Sequence, residues 1–193
     1  MLLPLLLLFL VPQYHSDFCD AHRMRSHTGI RSVDFCELSY PSIGPKRKKL
    51  ERPDSVVSLK NGVRQPEGED GSGLITLEEI QYTDVTHDGR EDALVTMVWH
   101  SGGTMQKSLV YVWSMKNSKP VVLWDFASGD RGFGGLHRVY GKDGDLILEV
   151  NDPDASVGNC CSRSFIRKRF RWDGSRFVQQ GKRQVLPNPD YKE

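Results

Sequence analysis

The stretch that decides the fold is Ala93-Leu94-Val95-Thr96-Met97-Val98-Trp99-His100, the turn Ser101-Gly102-Gly103-Thr104, and Lys107-Ser108-Leu109-Val110-Tyr111-Val112-Trp113-Ser114-Met115. In the first segment Ala93, Val95, Met97 and Trp99 recur at every second position, which places them on one face of a strand. In the second, Leu109, Tyr111, Trp113 and Met115 face one way and Val110 and Val112 the other. Apolar side chains on both faces predict a central strand, covered from two sides.

Working outward, the same period-two pattern continues. Upstream, Leu74–Tyr82 is apolar with interruptions, and the Glu78-Glu79 pair marks a bulge. Before it, residues 64–73 read as a loop, and Val56–Leu59 runs into Asn61-Gly62, a hairpin dipeptide that tolerates positive φ. Downstream, Lys116–Pro120 turns the chain into Val121–Ser128. The Gly-rich stretch Gly129–Gly135 reads as a wide turn before Leu136–Tyr140. Asp143-Gly144 is a second hairpin dipeptide, after which Leu146, Leu148 and Val150 alternate with Asp145, Ile147 and Glu149. Ser164–Trp172, the turn Asp173-Gly174 and Arg176–Gln180 follow. The expectation is one all-β domain, an antiparallel meander of about eight or nine strands, sandwich- or blade-like.

The chain has 193 residues, with 26 Lys+Arg against 25 Asp+Glu, a net charge of +1. No global field favours nucleic acid, and none is expected as a partner. Met1–Val11 is an apolar run with one proline, of the length of a secretory signal. Eleven helical residues reach about 16 Å, roughly half a hydrocarbon core, so no integral membrane anchor is expected. The division read from sequence is a signal-like leader at 1–16, a linker at 17–32, the β domain at 33–183 and a disordered tail at 184–193. A secreted or periplasmic location follows, with an extracellular or envelope partner of unknown kind.

The near-zero net charge hides two local imbalances. From Glu67 to Asp92 there are nine acidic residues and one basic, and from Cys160 to Glu193 nine basic and three acidic. The acidic segment ends in Asp84-Val85-Thr86-His87-Asp88-Gly89-Arg90-Glu91-Asp92. Oxygen-bearing side chains stand at positions 1, 3, 5 and 9, with Gly at 6. Calcium takes six to eight oxygens at about 2.3–2.6 Å, and a short loop supplies them by turning alternate side chains inward around a glycine. The metal-ligand candidates are therefore Asp84, Thr86, Asp88, the Arg90 carbonyl and Asp92, with Ca²⁺ as the ion. The competing reading is an Asp-Gly turn whose carboxylates accept backbone N–H bonds.

This spacing resembles the loop of FG-GAP and VCBS-type β repeats, D-x-[DN]-x-D-G-x-x-D, with Thr86 in place of Asp or Asn. The loop occurs once, so no closed propeller is expected. A wider resemblance runs over about residues 33–180, through Val33-Asp34-Phe35, Tyr40-Pro41, Tyr82–Thr86, Val110-Tyr111-Val112, Leu123–Phe126, Gly129-Asp130-Arg131, Gly134-Gly135-Leu136, Val139-Tyr140, Cys160-Cys161 and Arg171–Phe177. Together these look like a group of uncharacterised exported bacterial β proteins carrying a single such loop. The resemblance implies an exported β domain and no particular activity.

The remaining candidates are these. Cys19, Cys36, Cys160 and Cys161 allow three pairings in an oxidising compartment. The favoured reading joins Cys160 or Cys161 to Cys36 or Cys19 rather than closing a vicinal ring, with free thiols as the alternative. Arg167, Arg169 and Arg171 share one face of a strand, which reads as paired with carboxylates such as Glu149 or with the acidic segment; exposed, it would serve a polyanion. Lys46–Lys49 is a basic run read as a solvated loop. The functional expectation is a non-catalytic binding or structural domain with a calcium loop. The alternatives are an envelope-polymer hydrolase using Asp130, Asp152 or Asp154, and a polyanion-binding module through Arg167–Arg171.

Overall fold

The computed structural model describes Cys19 and residues 28–41, 56–66, 71–158 and 160–192. The leader 1–16 and the basic run 46–49 lie outside the described residues. A 3₁₀ turn at Gly29–Ser32 precedes two short paired strands, β1 (Ser39–Tyr40) and β2 (Val57–Ser58). The first large sheet holds β3 (Val63–Arg64), β4 (Ser72–Thr83), β5 (Asp92–Ser101), β6 (Gln106–Lys116) and β7 (Lys119–Asp130), in that spatial order. Then come β8 (Leu136–Lys142) and β9 (Asp145–Asn151), a two-residue hairpin of β10 (Ser156–Val157) and β11 (Cys161–Ser162), and finally β12 (Ser164–Trp172) and β13 (Phe177–Pro187). The second large sheet has the order β13-β12-β9-β8, and every named pairing in both is antiparallel.

The all-β, antiparallel expectation therefore holds, in its sandwich form. Eight strands have seven residues or more, and the other five have two each. Positive-φ dipeptides return the chain tightly between β6 and β7 (Asn117-Ser118 at +50° and +60°) and between β8 and β9 (Asp143-Gly144 at +52° and +74°), and Asn61-Gly62 at +53° and +74° closes the short Lys60–Val63 bridge. The bulge read at Glu78-Glu79 is present: Leu77 pairs with Met97 while Glu79 pairs with Thr96.

Two apolar layers explain why β5 and β6 are apolar on both faces. On one face, Leu94, Val110 and Val112 meet Val139, Leu146, Leu148, Val150 and Ile166 of the second sheet. Trp124 reaches across the sandwich to Phe170, with ring centroids 5.8 Å apart. On the other face, Val95, Met97, Tyr111 and Trp113 are covered by Cys19, Ile30, Phe35, Cys36 and Tyr40. Tyr40 stacks edge-on to Trp113 at 5.6 Å and donates its hydroxyl to the Phe35 carbonyl at 2.6 Å. Burial drives the hydroxyl pKa of Tyr40 strongly upward.

The structure corrects three boundaries and pairings. The segment read as a 17–32 linker supplies Cys19 and Ile30 to this outer layer, 0% and 3% exposed. The polar composition around them hid the two side chains that carry the packing. β13 continues to Pro187, with Phe165 opposite Leu186 and Ser164 opposite Pro187, so the sheet runs four residues past 183. Proline suits that last position because it ends the strand at a sheet edge. The disulfides are Cys19–Cys36 and Cys160–Cys161. The expected cross-link between the two pairs does not form because Cys36 belongs to the outer layer while Cys161 lies in the β10–β11 hairpin, packed against Gly132 in the loop after β7.

Candidate functional site

The Asp84–Glu91 loop joins β4 to β5 at the corner where β4 meets β8. Gln81 donates to the Val139 carbonyl at 3.0 Å, tying the two sheets together just before the loop. Two glycines let the second sheet approach. A Cβ on Gly141 would lie 2.6 Å from Thr83 Cγ2, and one on Gly144 would overlap the His87 ring. The loop is thus seated on the β8–β9 hairpin. His87 and Gly89 adopt φ of +58° and +79°, which turns the chain sharply at Asp88.

The carboxylates organise the turn. Asp84 accepts from Gly89 N–H at 2.9 Å and from Asp88 N–H at 3.3 Å. Asp88 accepts from Arg90 N–H at 2.9 Å and from its guanidinium at 2.5 and 3.1 Å. That guanidinium holds the Asp88 pKa below the usual carboxylate range. Asp92 Oδ2 accepts from Val85 N–H at 3.0 Å and Thr86 N–H at 3.1 Å. Asp92 is fully buried, and its other oxygen, Oδ1, is enclosed without a well-formed hydrogen bond. Burial raises the Asp92 pKa, while the neighbouring Ser114 and Thr86 side chains pull the other way. Glu91 faces out from the loop and makes a bidentate pair with Arg31 at 2.5 and 2.8 Å.

Four of the five residues named from sequence lie in this loop and the fifth, Asp92, opens β5 beside it; they fit a hard cation in donor type: three carboxylates, the Thr86 hydroxyl and the Arg90 carbonyl. The buried Oδ1 of Asp92, without a well-formed hydrogen bond, is the acceptor that such an ion would satisfy. In the arrangement described, much of the carboxylate capacity is taken by loop amides and by Arg90. Among the described residues no three His, Cys, Asp or Glu groups converge tightly enough to enclose an ion.

The arginine strand is paired, as one reading of the sequence had it. Arg167 Nε donates to Glu149 Oε1 at 2.6 Å, and Tyr140 donates to the same oxygen at 3.1 Å. Arg169 and Arg171 share Asp145, the latter at 2.8 and 3.2 Å. Glu149 was named from sequence and Asp145 was not; the alternation of Asp145 and Glu149 on β9 opposite three arginines was the available signal. Two of the three carboxylates suggested for hydrolysis are engaged in local hydrogen bonds. Asp130 accepts from Gln106 N–H and Arg131 N–H, both at 2.9 Å, and Asp152 accepts from Asp154 N–H at 3.1 Å and Ser164 Oγ at 2.9 Å.

No protein-family model matches the chain, and no curated protein and no solved structure matches it. Among the described residues no helix is long and apolar enough to cross a membrane.

Proposed function

We propose that the chain is an exported, non-catalytic β sandwich whose β4–β5 loop binds calcium, the ion pinning that loop to the second sheet. The buried Asp92 Oδ1, enclosed beside the Ser114 and Thr86 side chains without a well-formed hydrogen bond, is the observation that carries this reading. An enclosed carboxylate oxygen is costly unless a donor or cation faces it. The neighbouring excess of acidic residues from Glu67 to Asp92 adds repulsion that a divalent ion relieves. Asp84, Asp88 and Asp92 would hold the ion, with Thr86 and the Arg90 carbonyl beside them. Three carboxylates correspond to affinities of about 10⁻⁴–10⁻³ M. Export is supported by the apolar leader and by the Cys19–Cys36 disulfide, a bond that persists in oxidising compartments.

The test is a calcium titration followed by amide NMR. Shifts confined to residues 84–92 and the β8–β9 turn, saturating in the millimolar range and absent in Asp88→Ala, are expected. Spectra unchanged at 10 mM (roughly ten times the weakest affinity expected) would overturn the proposal.

A further inference from the structure

The face of the second sheet turned away from the sandwich core holds a second feature, independent of the loop. A cavity of about 440 Å³ opens there, lined by Tyr140, Lys142, Arg167, Arg169, Gln180 and Lys182 among others. Its floor is Ile147, 5% exposed. One wall is an irregularity in β13: Arg167 pairs with Gln184 but Arg169 pairs with Gln180, so extra residues bulge outward around Gly181, at φ +65°. Such bulges re-aim side chains, and this one carries Lys182 to the cavity rim.

We propose that this cavity binds an anionic saccharide, a chain bearing carboxylate or sulfate groups, laid along β12. Three observations carry this. The arginines are held in place from below: Glu149 and Asp145, 3% and 0% exposed, engage the Nε edges of Arg167 and Arg169. The terminal nitrogens of Arg169 make no further hydrogen bond among the described residues, and the side chain is 48% exposed. A guanidinium fixed at one edge presents the other as a ready fork for a carboxylate or sulfate.

Next, the charge is complementary. Arg138, Lys142, Arg167, Arg169, Arg171 and Lys182 stand against Asp143, Asp145 and Glu149 on and around this face, six cations to three carboxylates. Finally, the remaining lining suits hydroxyl groups. Gln180 and Gln184 offer both donors and acceptors, and the volume lies within the ~300–1,000 Å³ of small-ligand sites. Arginines two residues apart on a strand repeat at about 6.7 Å, so the row continues past the cavity toward Arg171 and suits a linear polymer. Single-stranded nucleic acid is the less fitting occupant, since it needs a series of stacking rings and the lining aromatic here is Tyr140.

The test is calorimetric titration with an oligogalacturonate, a sulfated oligosaccharide, a neutral oligosaccharide and an oligothymidylate. Binding of a uronate or sulfated chain, weakened at least roughly tenfold by Lys142→Gln with Lys182→Gln, supports the assignment. Both lysines are exposed, so the double variant should fold, and circular dichroism checks that it does. Arg176→Gln, at the distant β12–β13 turn, should leave affinity unchanged. The assignment is overturned if no anionic saccharide binds at millimolar concentration, or if the neutral chain binds equally. It is also overturned if the oligothymidylate binds more tightly, or if Arg176→Gln weakens binding as much as the double variant does.

Discussion

Asp92 does two jobs with two oxygens. Oδ2 closes the start of the loop through the Val85 and Thr86 amides, and Oδ1 is left enclosed. Asp92→Asn should therefore abolish the calcium response while retaining a similar side-chain volume. Arg90 would compete with the proposed ion, because its guanidinium occupies Asp88. Arg90→Gln should tighten calcium binding several-fold, read from the midpoint of the same titration. Gly141 makes a separate prediction: Gly141→Ala places a methyl against Thr83, and overpacking of that kind costs about 1–3 kcal/mol. Urea unfolding should show that loss, and Thr83→Ala in the same chain should recover most of it. That Asp84, Asp88 and Asp92 lie close together was legible in the sequence because nine residues confine them. The pairing of Asp88 with Arg90 and the burial of Asp92 were not, because both depend on how the loop sits on the β8–β9 hairpin.

At the scale of elements, β9 and β12 form a ladder of opposite charges on an open sheet face. Burial alone would raise the Asp145 pKa, but hydrogen bonds from Arg171 and Arg169 overcome this and leave it below the ordinary range. The unfolded chain then takes up this proton at higher pH than the folded one. The contribution is fully present above the unfolded value of about 3.9 and is lost as pH falls through the lower folded value. Arg171→Gln should flatten the acid limb of a stability profile measured between about pH 5 and 2 and leave its neutral slope unchanged. Glu149 could be named from sequence because strand neighbours exchange charge at facing positions. Asp145 stands in the same alternation, but which arginines it meets depends on the register set by the Asp143-Gly144 turn and by the offset of β12.

At the scale of the molecule, three layers share β5 and β6 as their common centre. The two sheets were legible because period-two patterning and hairpin dipeptides are local signals. The outer layer was not, because it is assembled from scattered residues, Cys19, Ile30, Phe35 and Tyr40, within polar sequence. Its anchor is the Cys19–Cys36 bond, closing a separation of 17 residues. In the chain-entropy description a loop of that size contributes about 3 kcal/mol, so Cys36→Ser with Cys19→Ser should destabilise by roughly that amount in denaturant unfolding.

The loop joins two strands of the first sheet and packs on the β8–β9 hairpin of the second, so an ion bound there would stabilise the whole sandwich. Calorimetric melting in excess EDTA and in calcium at about ten times Kd is the direct comparison. A ligand at that level adds about 1.4 kcal/mol, or roughly 3–6 °C for a domain of this size. The expected result is that upward shift in the wild type and none in Asp92→Asn. Identical melting temperatures with and without calcium, in a wild-type protein that unfolds cooperatively, would contradict the calcium-pinned loop.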